Sequence, residues 1–139
     1  TALTAAETGH FVMSTLHTTT AAQTIDRIID VFPPHQQQQV RSQLSNILEG
    51  IVCQQLIRAI DREEMVPAFE ILIVNDAVRN LIREDKISQI DTVLQTQIKN
   101  GMMPMDYSLA KLVRQKLITI EDASMRAVDI DILKRYLHV

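Results

Sequence analysis

Apolar residues recur along the chain with two spacings, one helical and one alternating. Ala21, Ala22, Ile25, Ile28, Ile29 and Phe32 share a helical face. Thr18 to Thr20 can cap that helix, and Pro33-Pro34 ends it. A second stripe, Val40, Leu44, Ile47, Leu48, Ile51, Val52 and Leu56, predicts a helix from about Gln36 to about Ile60. Gly50 falls inside it at a cost of about 1 kcal/mol against Ala, so a close neighbour is expected there. Residues 1–7 suit a helix end, with Gly9 as its stop. The segment HFVMSTLHT, His10 to Thr18, is rich in apolar and β-branched types and reads as a buried strand.

MVPAFEILIV, Met65 to Val74, is a second strand. Both of its alternating faces are largely apolar, which predicts cover on two sides. Pro67 places its first part at an edge or entry position. Beyond Asn75 the pattern is helical, over 76–84, 88–99, 106–115, 121–128 and 132–137. Asn100-Gly101 is a helix stop, and Thr119-x-x-Asp122 resembles a capping box. A boundary is expected near Asn75, between a strand-containing part (1–74) and a helical part (75–139). Two strands do not make a stable sheet alone. They must pair with strands elsewhere in a longer protein, or pair in some other way. The chain opens at Thr1 without a Met, so a fragment or a processed product is expected.

With 139 residues the chain can build one domain with a core. It is 46% hydrophobic and 22% charged, an ordinary globular balance. A formal net charge of −3 argues against a nucleic-acid partner, which needs a basic face. No apolar run reaches membrane-spanning length, and no secretory signal opens the chain. The single Cys53 makes no internal disulfide, so a reducing compartment is expected. The three glycines, Gly9, Gly50 and Gly101, fit neither G-x-x-x-x-G-K-[ST] nor G-x-G-x-x-G. Both glycine-rich phosphate loops are therefore absent.

His10 and His17 bracket the first strand. Their spacing of seven puts them on opposite faces, so no shared metal is expected. They read either as polar strand-end residues or, for Thr15 to Thr18, as a phosphate- or water-binding group beyond a strand's carboxyl end. Glu70, inside an apolar strand, must be paired, and an arginine is the expected partner. Cys53 reads as a small core residue and Met102, Met103 and Met105 as helix packing. In AVRNLIREDK, Ala77 to Lys86, Val78, Leu81 and Ile82 form one ridge, and Asp76 can partner Arg79. Arg83 has only Arg79, Asn80, Lys86 and Ile87 as helix neighbours. It is expected to pair outside its own helix, with an acid from another element or subunit.

The opening quarter, TALTAAETGHFVMSTLHTTTAAQTIDRIIDVFP, resembles the histidine box of the type II/type IV secretion ATPase superfamily. Thr8-Gly9-His10 and Thr15-Leu16-His17-Thr18 match that signature. Ala77-Val78-Arg79-Asn80-Leu81-Ile82-Arg83-Glu84 is close to the AIRNLIRE motif of the PilT group, the type IV pilus retraction ATPases; Val78 alone departs from it. DRIIDVFP, VRSQLSNILEGIVCQQL, FEIL and GMMPMDYSLAKLV are similar to the same group, so the resemblance runs from Thr1 to about Ala127. The Arg62-Glu63-Glu64 turn and the tail DIDILKRYLHV depart from the pattern.

The resemblance implies an α/β fold: the C-terminal portion of a RecA-like P-loop NTPase core, then a helical C-terminal region, the whole mostly α-helical. It implies a hexameric motor that hydrolyses ATP with Mg²⁺ and retracts pili from the cytoplasmic side of a bacterial inner membrane, beside the inner-membrane pilus machinery and without membrane insertion. His10, Thr15, His17 and Thr18 would sense the nucleotide, and Ala77 to Glu84 would couple its state to retraction. No catalytic residue and no metal ligand is assigned. Without a phosphate loop, the chain alone is expected to bind no ATP and to be inactive. The alternatives are a non-catalytic helical assembly module and a related secretion ATPase moving another substrate.

Overall fold

The computed structural model describes residues 2–139. Helix α1 spans Ala2–Glu7, and the chain turns at Gly9. Residues 10–18 then run without regular structure. The buried strand expected there does not form: Phe11 is 86% and Met13 84% exposed. A strand needs a ladder partner, and among the described residues nothing pairs with this segment.

Helix α2, Ala21–Asp30, starts as its sequence dictates. Thr20 has extended backbone, and its hydroxyl accepts the Gln23 N–H at 3.1 Å. Gln23 reciprocates by accepting the Thr19 N–H at 3.1 Å. Ala21, Ile25 and Ile29 are buried. Helix α3 covers Gln37–Ile47 and stops there, because Leu48 turns extended. The long helix to Ile60 is therefore corrected to a helix and a strand, β1, Gly50–Arg58. Inward-facing Ile51, Cys53 and Ile57 alternate with outward-facing Val52, Gln54 and Leu56. Apolar residues on both faces imitated a helical stripe. At Gly50 a Cβ would lie 3.1 Å from the Leu72 carbonyl oxygen, the close neighbour that the glycine accommodates.

Strand β2, Met65–Ile73, pairs antiparallel with β1 from Gly50↔Ile73 to Arg58↔Met65. Its even positions are buried and its odd positions half-buried or exposed, so it is covered on one face, not two. The odd N–H groups point away from β1: Ile71 bonds the Met103 carbonyl at 2.8 Å and Phe69 the Ser108 hydroxyl at 3.0 Å. Pro67 shares that side, so its missing N–H costs the ladder nothing. Pairing with β1 and the Met103 bridge complete the small sheet.

Five helices follow: α4 (Asp76–Arg83), α5 (Ile90–Thr96), α6 (Met105–Arg114), α7 (Ile120–Arg126) and α8 (Ile130–Leu137). The single helix expected over 88–99 is instead α5 flanked by 3₁₀ turns at Ile87–Gln89 and Ile98–Asn100. Gly101, at φ +95°, ends it. Thr119 caps α7 through the Asp122 N–H at 3.0 Å. No helix among the described residues is long and apolar enough to cross a membrane.

The sheet's inner face serves two apolar clusters. Ile51, Cys53 and Leu72 join Ile25, Ile29, Leu44, Val78, Ile82 and Leu94 from α2 to α5. Ile57, Val66 and Ala68 join Met105, Leu109, Ala123 and Leu133 from α6 to α8. Each large side chain buried this way contributes about 1.5–3 kcal/mol. Glu70 lies between Ala68 and Leu72, where the clusters meet, and is 2% exposed.

Candidate functional site

Two segments carry the residues singled out from the sequence. In the first, His10 folds back on the end of α1. Its Nδ1 lies 3.2 Å from the Ala5 carbonyl oxygen and 3.3 Å from the Thr8 hydroxyl. Thr15, Leu16 and His17 project to solvent, and neither Thr15 nor His17 has a hydrogen bond among the described residues. His17 is thus free to meet an outside group. Thr18 turns inward, with its hydroxyl 2.5 Å from that of Thr24. Thr24 donates to the Thr20 carbonyl at 2.8 Å, which leaves Thr18 to donate to Thr24.

The second segment is α4. Asn75 caps it by accepting the Val78 N–H at 3.0 Å, and Val78 and Ile82 anchor it in the first cluster. Its two arginines behave differently. Arg79 does not use Asp76. One of its guanidinium nitrogens donates to the carbonyls of Ser45, Leu48 and Asn46 at 2.7, 3.1 and 3.2 Å. It thereby closes the C-terminal end of α3, whose last carbonyls lack helical partners. Glu49 stands 3.6 Å from its other terminal nitrogen. Arg83 is exposed and bonds the side-chain oxygens of Asn80, on its own helix, at 2.9 Å and of Asn46 at 3.5 Å. Among the described residues it meets another element but no acid. Ala77, Asn80 and Glu84 lie on the exposed side.

No hydrogen bond or ion pair joins the two segments directly among the described residues. Helix α3 touches both neighbourhoods: Gln43 bonds Glu7 of α1 at 3.2 Å, and Asn46 meets both arginines.

The expected arginine partner of Glu70 is also corrected. Its carboxylate accepts the Ala21 N–H at 2.8 Å and the Met105 N–H at 3.0 Å. Asp106 does likewise for the chain entering α8, accepting the Val128 and Asp129 N–H groups at 2.7 and 2.9 Å. Glu70, Asp91, Asp106 and Asp129 line a cavity of about 320 Å³. Burial pushes the carboxyls of Glu70, Asp91 and Asp106 above the usual range, and the bonds from the backbone amides pull Glu70 and Asp106 partly back. Burial also raises the Cys53 thiol, which is a core group. Sequence reasoning found Glu70 by its misfit but not its partners, and it missed Asp106, whose one signal is an acid in a first helical turn. The described residues contain no group able to hold a metal ion.

Residues 1–96 fit the family model of the Type II/IV secretion system proteins. The chain belongs to that family, and it is PilT-like, resembling the family's pilus retraction ATPases. It is 57% identical over 126 residues to a "Twitching motility protein" of Neisseria gonorrhoeae, covering 91% of this chain and 34% of that protein. It is 50% identical over 126 residues to the PilT pilus retraction ATPase of Pseudomonas aeruginosa, covering 91% of this chain and 36% of that one. The crystal structure of the pilus retraction motor PilT with bound ADP superposes with a TM-score of 0.84 at 49% identity, over 96% of this chain and 37% of that one. The chain thus spans about a third of the length of these relatives.

Proposed function

We propose that this chain is part of a hexameric, ATP-hydrolysing motor that powers type IV pilus retraction and so twitching motility. The observation that carries the reading is the 50% identity to a PilT retraction ATPase across 126 residues, with the histidine-box and AIRNLIRE-like signatures in place. On this reading residues 1–74 are the C-terminal part of a RecA-like core and 75–139 a helical C-terminal region. ATP and Mg²⁺ bind through a phosphate loop contributed by the rest of the longer protein. The motor stands at the cytoplasmic face of the inner membrane, at the pilus base.

Each candidate residue then has a role. His17, exposed and without a hydrogen bond among the described residues, and Thr15 meet the γ-phosphate side of a bound nucleotide. Thr18, tied to Thr24, passes the loop's position to the start of α2. His10 braces the near end of the box on α1. Helix α4 couples nucleotide state to retraction, with its anchored ridge inward and Ala77, Asn80, Arg83 and Glu84 outward. An acid of a neighbouring subunit is the proposed partner of Arg83.

The test is Mg²⁺-dependent ATP hydrolysis by the full-length protein. His17→Ala should lower kcat at least about tenfold, as expected when a group that stabilises developing phosphate charge is removed. A full-length protein that neither binds nor hydrolyses ATP would return the chain to a helical assembly module.

A further inference from the structure

Glu70 ties together two helix starts that belong to different apolar clusters. One carboxylate oxygen holds the first N–H of α2, 49 residues away in sequence, and the other holds the first N–H of α6, 35 residues away. Ala21 belongs to the first apolar cluster and Met105 to the second. Above Ala21 lies the histidine box: Thr18 bonds Thr24, and Thr24 lies 3.7 Å from the sulfur of Cys53, the register partner of Glu70 on β1. Beyond Met105 the next residue, Asp106, grips the two amides that lead into α8. Two buried carboxylates therefore link the box to three helix starts.

Bonds from amides to a carboxylate are about twice as strong as neutral ones. With Glu70 only 2% exposed, they are not exchanged for bulk water without a penalty. If the start of α2 moves, the carboxylate must either follow it or release it. Following it pulls on α6. We propose that Glu70 is the positioning residue through which the histidine box moves the α6–α8 end of the molecule. The proposal rests on the reading of the box as nucleotide-sensing, and adds to it an output separate from α4.

The experiment is hydrogen–deuterium exchange on the full-length protein, with ADP and with a non-hydrolysable ATP analogue, both with Mg²⁺. In the wild type, peptides covering residues 18–24 and 103–108 should both change protection between the two nucleotides. Glu70→Gln keeps the side chain's size but turns the carboxamide NH2, a donor, toward one of the two main-chain N–H donors. The change at 18–24 should persist in it, and the change at 103–108 should shrink at least about fivefold, the lower end of usual coupling between sites. A purely structural role would raise exchange equally with both nucleotides and leave the difference intact. Glu70→Asp, charged but one methylene shorter, should show the same loss. An α6 response retained in either variant overturns the proposal. So does a wild type whose box responds and whose α6 does not, a comparison that needs no variant to fold. A wild-type box that ignores the nucleotide removes the underlying reading, and this proposal with it.

Discussion

Arg79 and Arg83 share a helix and a charge but not a task. Arg79 satisfies three main-chain carbonyls at the end of α3. Arg79→Ala should leave those carbonyls short of donors and cost about 1–3 kcal/mol in a urea melt. Arg83 touches two exposed asparagine side chains, so Arg83→Ala should stay within about 0.5 kcal/mol of wild type while impairing retraction in the full-length protein. Equal losses of stability would make both arginines structural. The sequence showed that Arg83 lacked a local acid; it did not show Arg79's carbonyls, because main-chain acceptors at a distant helix end carry no residue code.

Glu70 and Asp106 bear on pH. Burial raises both carboxyls in the folded chain, so the native state holds protons that the unfolded chain has already released. The native state binds more protons in that window, so stability falls as pH rises. The fall begins at the ordinary values, 4.5 for Glu70 and 3.8 for Asp106, and is complete above the raised ones. Melts of wild type and Glu70→Gln across this range should show the wild type's relative stability declining with rising pH. A difference that stays flat or grows would contradict the assignment.

The helices were legible wherever a cap and a one-sided stripe coincided. Thr20 and Thr119 each accept the expected main-chain N–H; Asn75, read from the sequence only as a boundary, caps α4 in the same way. The strands were harder. β1 presents Val52 and Leu56 to solvent as well as Ile51 and Ile57 to the core, and two-sided apolar character hides a period of two. The segment 10–18 failed in the opposite way. Its composition suits a strand, but strand formation depends on a neighbour that the local sequence cannot supply. The amides of residues 11–18 should therefore exchange within seconds in this chain alone and be protected in the full-length protein. Fast exchange in both would mean that the segment never joins a sheet. Gly101 sits at φ +95°, with Ile73 Cδ1 3.1 Å from a would-be Cβ. Gly101→Ala should destabilise by about 1 kcal/mol or more, read from the urea midpoint.

The whole molecule is two apolar clusters strung on one hairpin. Each strand gives one end to each cluster, so neither cluster can dissolve without freeing half the sheet. Unfolding should be a single transition. Tyr107 and Tyr136, with ring centroids 5.4 Å apart, report on the second cluster. Far-ultraviolet circular dichroism reports on all the helices. The two urea curves should coincide; separate midpoints would show clusters that melt independently. The family was legible in short signatures. The seam at Glu70 was not, since it arises where residues 21, 70 and 105 meet. The grip of Arg79 on α3 has a mechanical consequence. With its guanidinium clamped on the end of an 11-residue helix, α4 is one arm of a welded bracket whose other arm is about 16 Å long. A small rotation at one arm is then a longer sweep at the tip of the other, near the Pro33-Pro34 corner where α3 begins.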